Sequence, residues 1–343
     1  MQADLSIIVP AYKPEFYLGC FFESISQLDL ALTKSSLCAE LIFIHSGSGA
    51  INVSNAPKWE SINLKYFHYP RQIEPSEARN IGFSHSVGEY VHFHDVDDKL
   101  NTEFVREFTL HIKRIESRKP DIILFKYIKK KGEYSELIDH AIHSSTRELN
   151  AHDLREYVRR YIYEPHKYTA FVHCWSKLYR REYLEKYKIR YDQRLNQLED
   201  VNFNFKLLIN NPTVIVADAV LYEYTVAPEG ASNLSSKSGD DPDERIKLTA
   251  RAYLPVKRFL IMQGCAYGEA KILLGQLYAT TFTLWILRAK KRRSTYFSRY
   301  HLVDKYCKSK FVRCSMKFYR RMPETSYWLP KWVRFGISAL ASI

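Results

Sequence analysis

Short apolar runs alternate with amphipathic stretches through the first two thirds of the chain. Leu5-Ser-Ile-Ile-Val-Pro10 is β-branched and closed by proline, as a buried strand is. Glu15 to Leu30 has helical character, Leu41-Ile-Phe-Ile-His45 predicts a second buried strand ending in the turn Ser46-Gly-Ser-Gly49, and Leu64 to Tyr69 predicts a third. Pro75 to Val87 predicts a helix whose Pro-Ser-Glu opening suits a first turn, and Gly88 breaks it before the strand Tyr90 to His94. A helix over Asn101 to Glu116, a strand over Asp121 to Tyr127 and a helix over Val201 to Ile209 follow. Strands alternating with helices of this length imply an α/β fold, a mostly parallel sheet with helices on both faces. In such sheets ligands bind beyond the carboxyl ends of the strands, and Pro10, His45 and Asp95 all fall at strand ends.

At 343 residues, with 46% hydrophobic and 14% aromatic side chains, the chain is long enough for a full core plus an extension or second domain. Its six cysteines (Cys20, Cys38, Cys174, Cys265, Cys307, Cys314) are scattered without a C-x-x-C, so neither a zinc site nor a disulfide framework is indicated, and a reducing cytosolic compartment is the simplest expectation. The first apolar run is too short for a signal peptide and follows Asp4, and no uninterrupted apolar run is long enough to span a membrane. The net charge of +13 is uneven: residues 243–343 hold 21 Lys and Arg against 5 Asp and Glu, whereas the remainder is slightly acidic. This division predicts a first domain over residues 1–228 and a mainly helical basic region over 229–343. Ile272 to Arg288 reads as helix, Arg288-Ala-Lys-Lys-Arg-Arg293 is strongly basic, and Tyr327 to Leu340 mixes Trp, Tyr, Lys and Arg with aliphatics. Such a surface suits an anionic membrane face, with a solvated helical face as the plainer alternative. No nucleic-acid-binding motif accompanies the charge, so no nucleic-acid partner is expected.

The strand Tyr90 to His94 runs into Asp95, Asp97 and Asp98, three carboxylates within four residues. Like charges at this spacing repel unless a cation intervenes, and a hard divalent ion such as Mg2+ or Mn2+ takes carboxylate oxygens together with substrate phosphates. The same residues would also serve as an acidic cap to the helix beginning near Asn101, and from these residues alone the two readings stand level. Glu199-Asp200 has the same double meaning, an acid pair or the acidic start of a helix.

Five segments in order carry a resemblance: Ser6-Ile-Ile-Val-Pro-Ala-Tyr12, Glu77-Ala-Arg-Asn-Ile-Gly82, Gly88-Glu-Tyr-Val-His-Phe-His-Asp-Val-Asp-Asp98, Trp175-Ser-Lys-Leu-Tyr-Arg-Arg-Glu-Tyr-Leu184 and Leu198-Glu-Asp-Val-Asn-Phe203. Over about residues 5 to 225 the chain resembles the family 2 glycosyltransferases, inverting enzymes with the GT-A fold, and among them those that build bacterial surface glycans. The resemblance implies a nucleotide-sugar site formed by Pro10, Ala11, Tyr12, His45, Ser46, Arg79, Asp95 and Val96, with the donor diphosphate on a Mn2+ or Mg2+ ion held by Asp95 and Asp97, and Asp98 as a further candidate ligand. It implies that Asp200 is the general base toward the acceptor hydroxyl, with Glu199 as alternate or orienter, and that Trp175 forms an apolar wall for the acceptor sugar or packs in the core.

One position departs from the family pattern. Where the second strand commonly ends in two acids, the first of which accepts a proton from uracil N3, this chain has His45-Ser46. A donor side chain there would suit cytosine at least as well, so a cytidine-nucleotide donor stands beside the default UDP-sugar. His92, His94 and His173 lack zinc-site spacing and read as packing residues. The expected function is transfer of a sugar to a glycan or lipid-linked acceptor in lipopolysaccharide, capsule or other surface-polysaccharide synthesis, by a cytoplasmic protein peripheral on the inner face of the bacterial cytoplasmic membrane. A metal-dependent hydrolase or nucleotidyltransferase, or a non-catalytic binding module on the same scaffold, are the competing classes.

Overall fold

The computed structural model describes residues 3–51, 56–112, 119–140, 145–165, 167–226, 242–292 and 314. In chain order the elements are β1 (Leu5–Tyr12), α1 (Leu18–Lys34), β2 (Ala39–Ser46), β3 (Ile62–Tyr69), α2 (Pro75–His85), β4 (Tyr90–Phe93), β5 (Lys99–Leu100), α3 (Phe104–Ile112), β6 (Ile122–Lys131), β7 (Tyr134–Ile138), β8 (Arg147–Leu149), α4 (Ala151–Tyr163), β9 (Lys177–Arg180), α5 (Arg181–Lys186), α6 (Glu199–Leu208), β10 (Val214–Thr225), α7 (Pro242–Ala252), α8 (Leu254–Met262) and α9 (Tyr267–Arg292). Two compact units divide them: residues 1–150 with 170–235, and residues 151–169 with 236–343.

The first unit holds a mixed sheet in the order β3-β2-β1-β4-β9-β6-β10-β5, with β7 on β6 and β8 on β10. Its long ladders are parallel, β1 with β2, β2 with β3 and β6 with β10, and the antiparallel ladders are short, so the mostly parallel α/β sheet expected from the sequence is present. Ile7, Ile8, Leu41, Ile42 and Ile123 are fully buried, as an apolar run covered on both faces requires. β1 and β2 continue past Pro10 and His45, carrying Ala11, Tyr12 and Ser46 to the carboxyl edge.

Two differences from the sequence reading have local causes. β9, which enters antiparallel between β4 and β6, is only Lys-Leu-Tyr-Arg and offers no apolar run to read. α3 begins at Phe104 rather than Asn101, because Lys99 and Leu100 pair with Glu223 and Tyr222 of β10. Beyond Ile112 the expected end of that helix lies outside the described residues.

α2 sits close on β1 because Gly82 has no side chain: a Cβ there would lie 2.3 Å from Ile8 Cγ2. Gly88 is confined by backbone as well, since its Cβ would meet Ser6 Oγ at 2.5 Å and the backbone of Leu5 and Ser6 within 2.7 Å. The same turn is fastened by Glu40, only 2% exposed, whose carboxylate accepts from the Ser6 hydroxyl, the Lys65 ammonium and the Val87 N–H at 2.6 Å. Against its burial, these donors hold the Glu40 carboxyl below its ordinary range.

In the second unit α4 packs on α9, α8 on α9 and α7 on α8. The Tyr253 and Thr281 hydroxyls hydrogen-bond at 2.7 Å, and Arg159 pairs with Glu269 at 2.6 Å. Among the described residues no helix is long and apolar enough to cross a membrane. Of the basic stretches singled out in the sequence, 288–292 closes α9, while residue 293 and residues 327–340 lie outside the described residues.

Glu40→Ala is expected to strand the Ser6, Lys65 and Val87 donors and to lower the unfolding free energy by about 3 kcal/mol in urea titrations at neutral pH. Because the folded-state pKa of Glu40 is depressed, its contribution is present above its unfolded value of 4.5 and the gap between wild type and variant should narrow below that pH.

Candidate active site

Gly82 presses α2 against β1, and one turn earlier on the same helix Arg79 is carried inward, its side chain 5% exposed. Its guanidinium spans two acidic groups that are distant in sequence: Nη2 donates to Asp95 Oδ1 at 3.0 Å and Nη1 to Asp200 Oδ1 at 3.2 Å, with Glu199 Oε1 3.8 Å away. The Tyr191 ring lies under it, 5.3 Å from Cζ. Burial disfavours the charge of this arginine, but Cys174, Asp200 and Asp95 outweigh it and hold its pKa well above the ordinary value, so it is a permanent cation.

The three crowded carboxylates meet three different fates. Asp95 pairs with Arg79, and its backbone N–H donates to the Tyr222 hydroxyl at 3.1 Å. Asp98 turns inward, 3% exposed, and accepts from Tyr222 Oη at 2.7 Å and the Thr225 N–H at 2.8 Å. Burial, with Asp95 and Asp97 beside it, pushes its carboxyl up to about 8. Asp97 stands on the surface of a cleft whose walls displace water, and with the Asp95 charge this pushes its carboxyl up to about 6. Among the described residues Asp97 has no ion-pair partner. His92 and His94 just upstream are buried and, chiefly by burial, held neutral, His92 near 4 and His94 well below its ordinary value.

Glu199 and Asp200 open α6, and the residue before them, Leu198, is in the left-handed region at φ 58°. That costly backbone for a branched side chain turns both acids toward Arg79. Asp200 Oδ2 also accepts the Cys174 N–H at 3.1 Å. Burial and the neighbouring Asp200 raise the Glu199 pKa, and burial raises that of Asp200 against the pull of Arg79.

These side chains border a cleft of about 240 Å3 lined by Pro10, Ala11, Tyr12, Ser46, Arg79, Asp95, Val96, Asp97 and Glu199, together with residues 72–75 and Ala78. Four of the sequence candidates stand outside that lining. Asp98 and Asp200 lie behind it in the contacts just given. His45 is 1% exposed, with Nδ1 on the Tyr66 hydroxyl at 2.9 Å and its ring stacked on His68. Trp175 is 4% exposed and stacked with His173, Tyr222 and Tyr224, ring centroids 4.4 to 5.2 Å away. Its ring therefore belongs to an aromatic layer under the acid cluster.

The family model described as glycosyl transferase family 2 matches residues 6–188, more than half of the chain. The chain belongs to glycosyl transferase family 2. Among curated relatives, the glycosyltransferase GlyA of Streptococcus pneumoniae is 25% identical over 263 residues, 75% of this chain and 36% of GlyA. The poly(ribitol-phosphate) β-N-acetylglucosaminyltransferase TarS of Staphylococcus aureus is 26% identical over 231 residues, 66% of this chain and 36% of TarS, so the chain spans about a third of each. The crystal structure of TarS residues 1–349 in complex with UDP-GlcNAc shares the fold, with a TM-score of 0.63 at 18% identity over 98% of this chain and 88% of that one.

The family motifs pointed to nine of the lining residues but not to Gln72, Ile73, Glu74, Pro75 and Ala78. Their signal was present in the helix start at Pro75, since the chain entering α2 has to pass the same strand ends. Among the described residues no three His, Cys, Asp or Glu side chains gather into a set that could hold a metal ion unaided. Asp95 and Asp97 do present hard oxygen donors to one cleft, and the raised pKa of the unpaired Asp97 marks a place where a cation would be welcome. The donor set therefore fits a divalent ion that completes its shell with substrate oxygens and water.

Arg79→Met is expected to leave Asp200 and Asp95 without their cation and to cost about 3 kcal/mol of folding free energy at neutral pH. The deficit should shrink toward pH 5, because the stranded carboxylates then take up protons in the folded state. Urea unfolding of both proteins at the two pH values reads this.

Proposed function

We propose that this chain is an inverting glycosyltransferase that moves a sugar from a nucleoside-diphosphate donor to a hydroxyl of a bacterial surface glycan. The observation that carries the reading is Arg79, whose one guanidinium holds Asp95 at the donor cleft and Asp200 of the acid pair. A fixed fork between the two sets the distance between the diphosphate end and the proton acceptor, which is what an in-line displacement needs. Asp95 and Asp97 would hold the Mn2+ or Mg2+, which when bound neutralises charge on the leaving diphosphate. Asp98, locked by Tyr222 and Thr225, braces the loop that presents them.

Asp200 is the general base in this scheme. Its two oxygens are oriented by Arg79 and the Cys174 N–H, and each oxygen keeps a second lone pair for the acceptor proton. Glu199, which lines the cleft, orients the acceptor hydroxyl and supplies a second negative charge. Retention of this acid pair against Arg79 speaks against a non-catalytic module, and an acid pair with Glu199 in the cleft lining and Asp200 directly behind it favours transfer to a hydroxyl over nucleotidyl transfer. The donor is read as a uridine nucleotide because the relative TarS is described with UDP-GlcNAc and because His45, its Nδ1 on the Tyr66 hydroxyl, stands outside the cleft lining, which leaves Ser46 as the one member of that pair a cytosine would meet. TarS is named for poly(ribitol-phosphate), a polyanion, which favours an anionic polymer as the acceptor class. The +16 balance of residues 243–343 supports attachment to such a polymer or to an anionic membrane face.

Asp200→Asn is expected to lower kcat by about 10^3 and Glu199→Gln by about tenfold, with donor binding kept in both. A larger loss in Glu199→Gln would move the base to Glu199. Wild-type kcat/KM should rise with pH along a limb lying above the ordinary carboxylate range, because the base must be deprotonated and its pKa is raised. Calorimetric titration with UDP, CDP and GDP in the presence of Mn2+ should show UDP tightest, and a preference for CDP would overturn the uridine assignment.

A further inference from the structure

Lys177 is wholly buried in the first unit, and the scheme above gives it no task. Its ammonium donates to two backbone carbonyls, His173 O and, at 3.2 Å, Trp175 O, and among the described residues no carboxylate lies within ion-pair distance of it. A neutral apolar side chain would fill this place at lower desolvation cost, so a charge held here needs a reason.

The turn it grips is the one that touches the acid pair. Cys174, between the two gripped carbonyls, gives its N–H to Asp200 Oδ2. Asn204 Nδ2 donates to His173 O and to Asp200 O, each at 2.9 Å, and the Tyr179 hydroxyl lies 3.0 Å from Cys174 O. Ser176 closes the turn in the left-handed region at φ 61°, with its hydroxyl on Phe125 O at 2.6 Å. A turn strained in this way keeps its shape only if its carbonyls are held from inside.

We propose that Lys177 is a positioning residue for the transfer step: its ammonium moulds the 173–176 turn so that the Cys174 N–H is held on the Asp200 carboxylate. The inference rests on Asp200 being the base. The groups around Lys177 leave its charge to the two carbonyls. His92, His140 and His173 are all driven down by burial, to about 4, 3 and 3, and so stay neutral beside it. Burial lowers Lys177 itself to about 8, with Cys174 and Asp200 pulling the other way, so it is a cation at neutral pH.

The test compares the full-length wild type with Lys177→Met and Lys177→Gln. Sugar transfer is followed across pH, and the Asp200 carboxyl is titrated by carbon-13 NMR; thermal unfolding and UDP titration report on the fold and the cleft. A folded Lys177→Met protein is expected to bind UDP within about threefold of wild type and to lose about a hundredfold in kcat. Both the acid limb of the rate profile and the Asp200 titration should move to higher pH as the Cys174 N–H is lost, and Lys177→Gln, which still donates to the carbonyls, should recover part of kcat and move the titration part of the way back. A folded Lys177→Met protein with an unmoved Asp200 titration overturns the proposal, as does failure of both variants to fold, which would assign Lys177 to stability alone. A wild type that transfers no sugar would defeat the transferase reading, and the carbon-13 titration would then judge Lys177 by itself.

Discussion

A single buried guanidinium holds the reactive part of this molecule together. Arg79 is surrounded by acids that repel one another, and in their absence its own burial would be prohibitive. Each partner therefore makes the other tolerable. The planar fork matters as much as the charge, because two nitrogens pointing in different directions reach Asp95 and Asp200 at once, and an ammonium could not fix both angles. The rest of the first unit can be read as the means of delivering that fork: a glycine that lets α2 lie flat on β1, and a carboxylate at Glu40 that ties the end of α2 to the strands below.

The acid cluster after β4 follows from the same constraint. Three carboxylates this close cannot all remain solvated anions, so the fold separates them: Asp95 to the arginine, Asp98 to a tyrosine hydroxyl and a backbone amide, Asp97 to the cleft. Only the last is left with an unmet charge, and it faces the space where a diphosphate and its ion would lie. The aromatic layer beneath has a structural duty in this arrangement. Tyr222 stacks on Trp175 and at the same time gives its hydroxyl to Asp98, so the ring stack sets the height of the acid loop above the sheet. Trp175 thereby acts on the site from below.

β9 contributes more than its length indicates. By entering antiparallel between β4 and β6, it carries the 173–176 turn to within hydrogen-bond reach of α6, where a backbone amide meets Asp200. The strained Leu198 on one side and the strained Ser176 on the other show backbone energy concentrated on either side of one carboxylate. Such strain persists where surrounding contacts over-determine the geometry, as Lys177, Asn204 and Tyr179 do here.

The amino-acid sequence by itself determined the parallel half of the sheet, because a strand buried on both faces must be predominantly apolar, and such runs are legible in β1, β2 and β4 despite buried polar residues such as Ser6, Glu40 and His92. It also determined which residues reach the strand ends, and so most of the cleft lining. It could not show β9, whose residues owe their burial to neighbours far along the chain. Nor could it show that α4, within the first half of the sequence, belongs to the same compact unit as α7 to α9. Above all it could not rank the acids: Asp95, Asp97 and Asp98 look alike in sequence, and only partners 16, 124 and 127 residues away tell them apart. Local pattern records what a segment must exclude from water, whereas the state of a carboxylate depends on which charge and which hydroxyl the folded chain brings beside it.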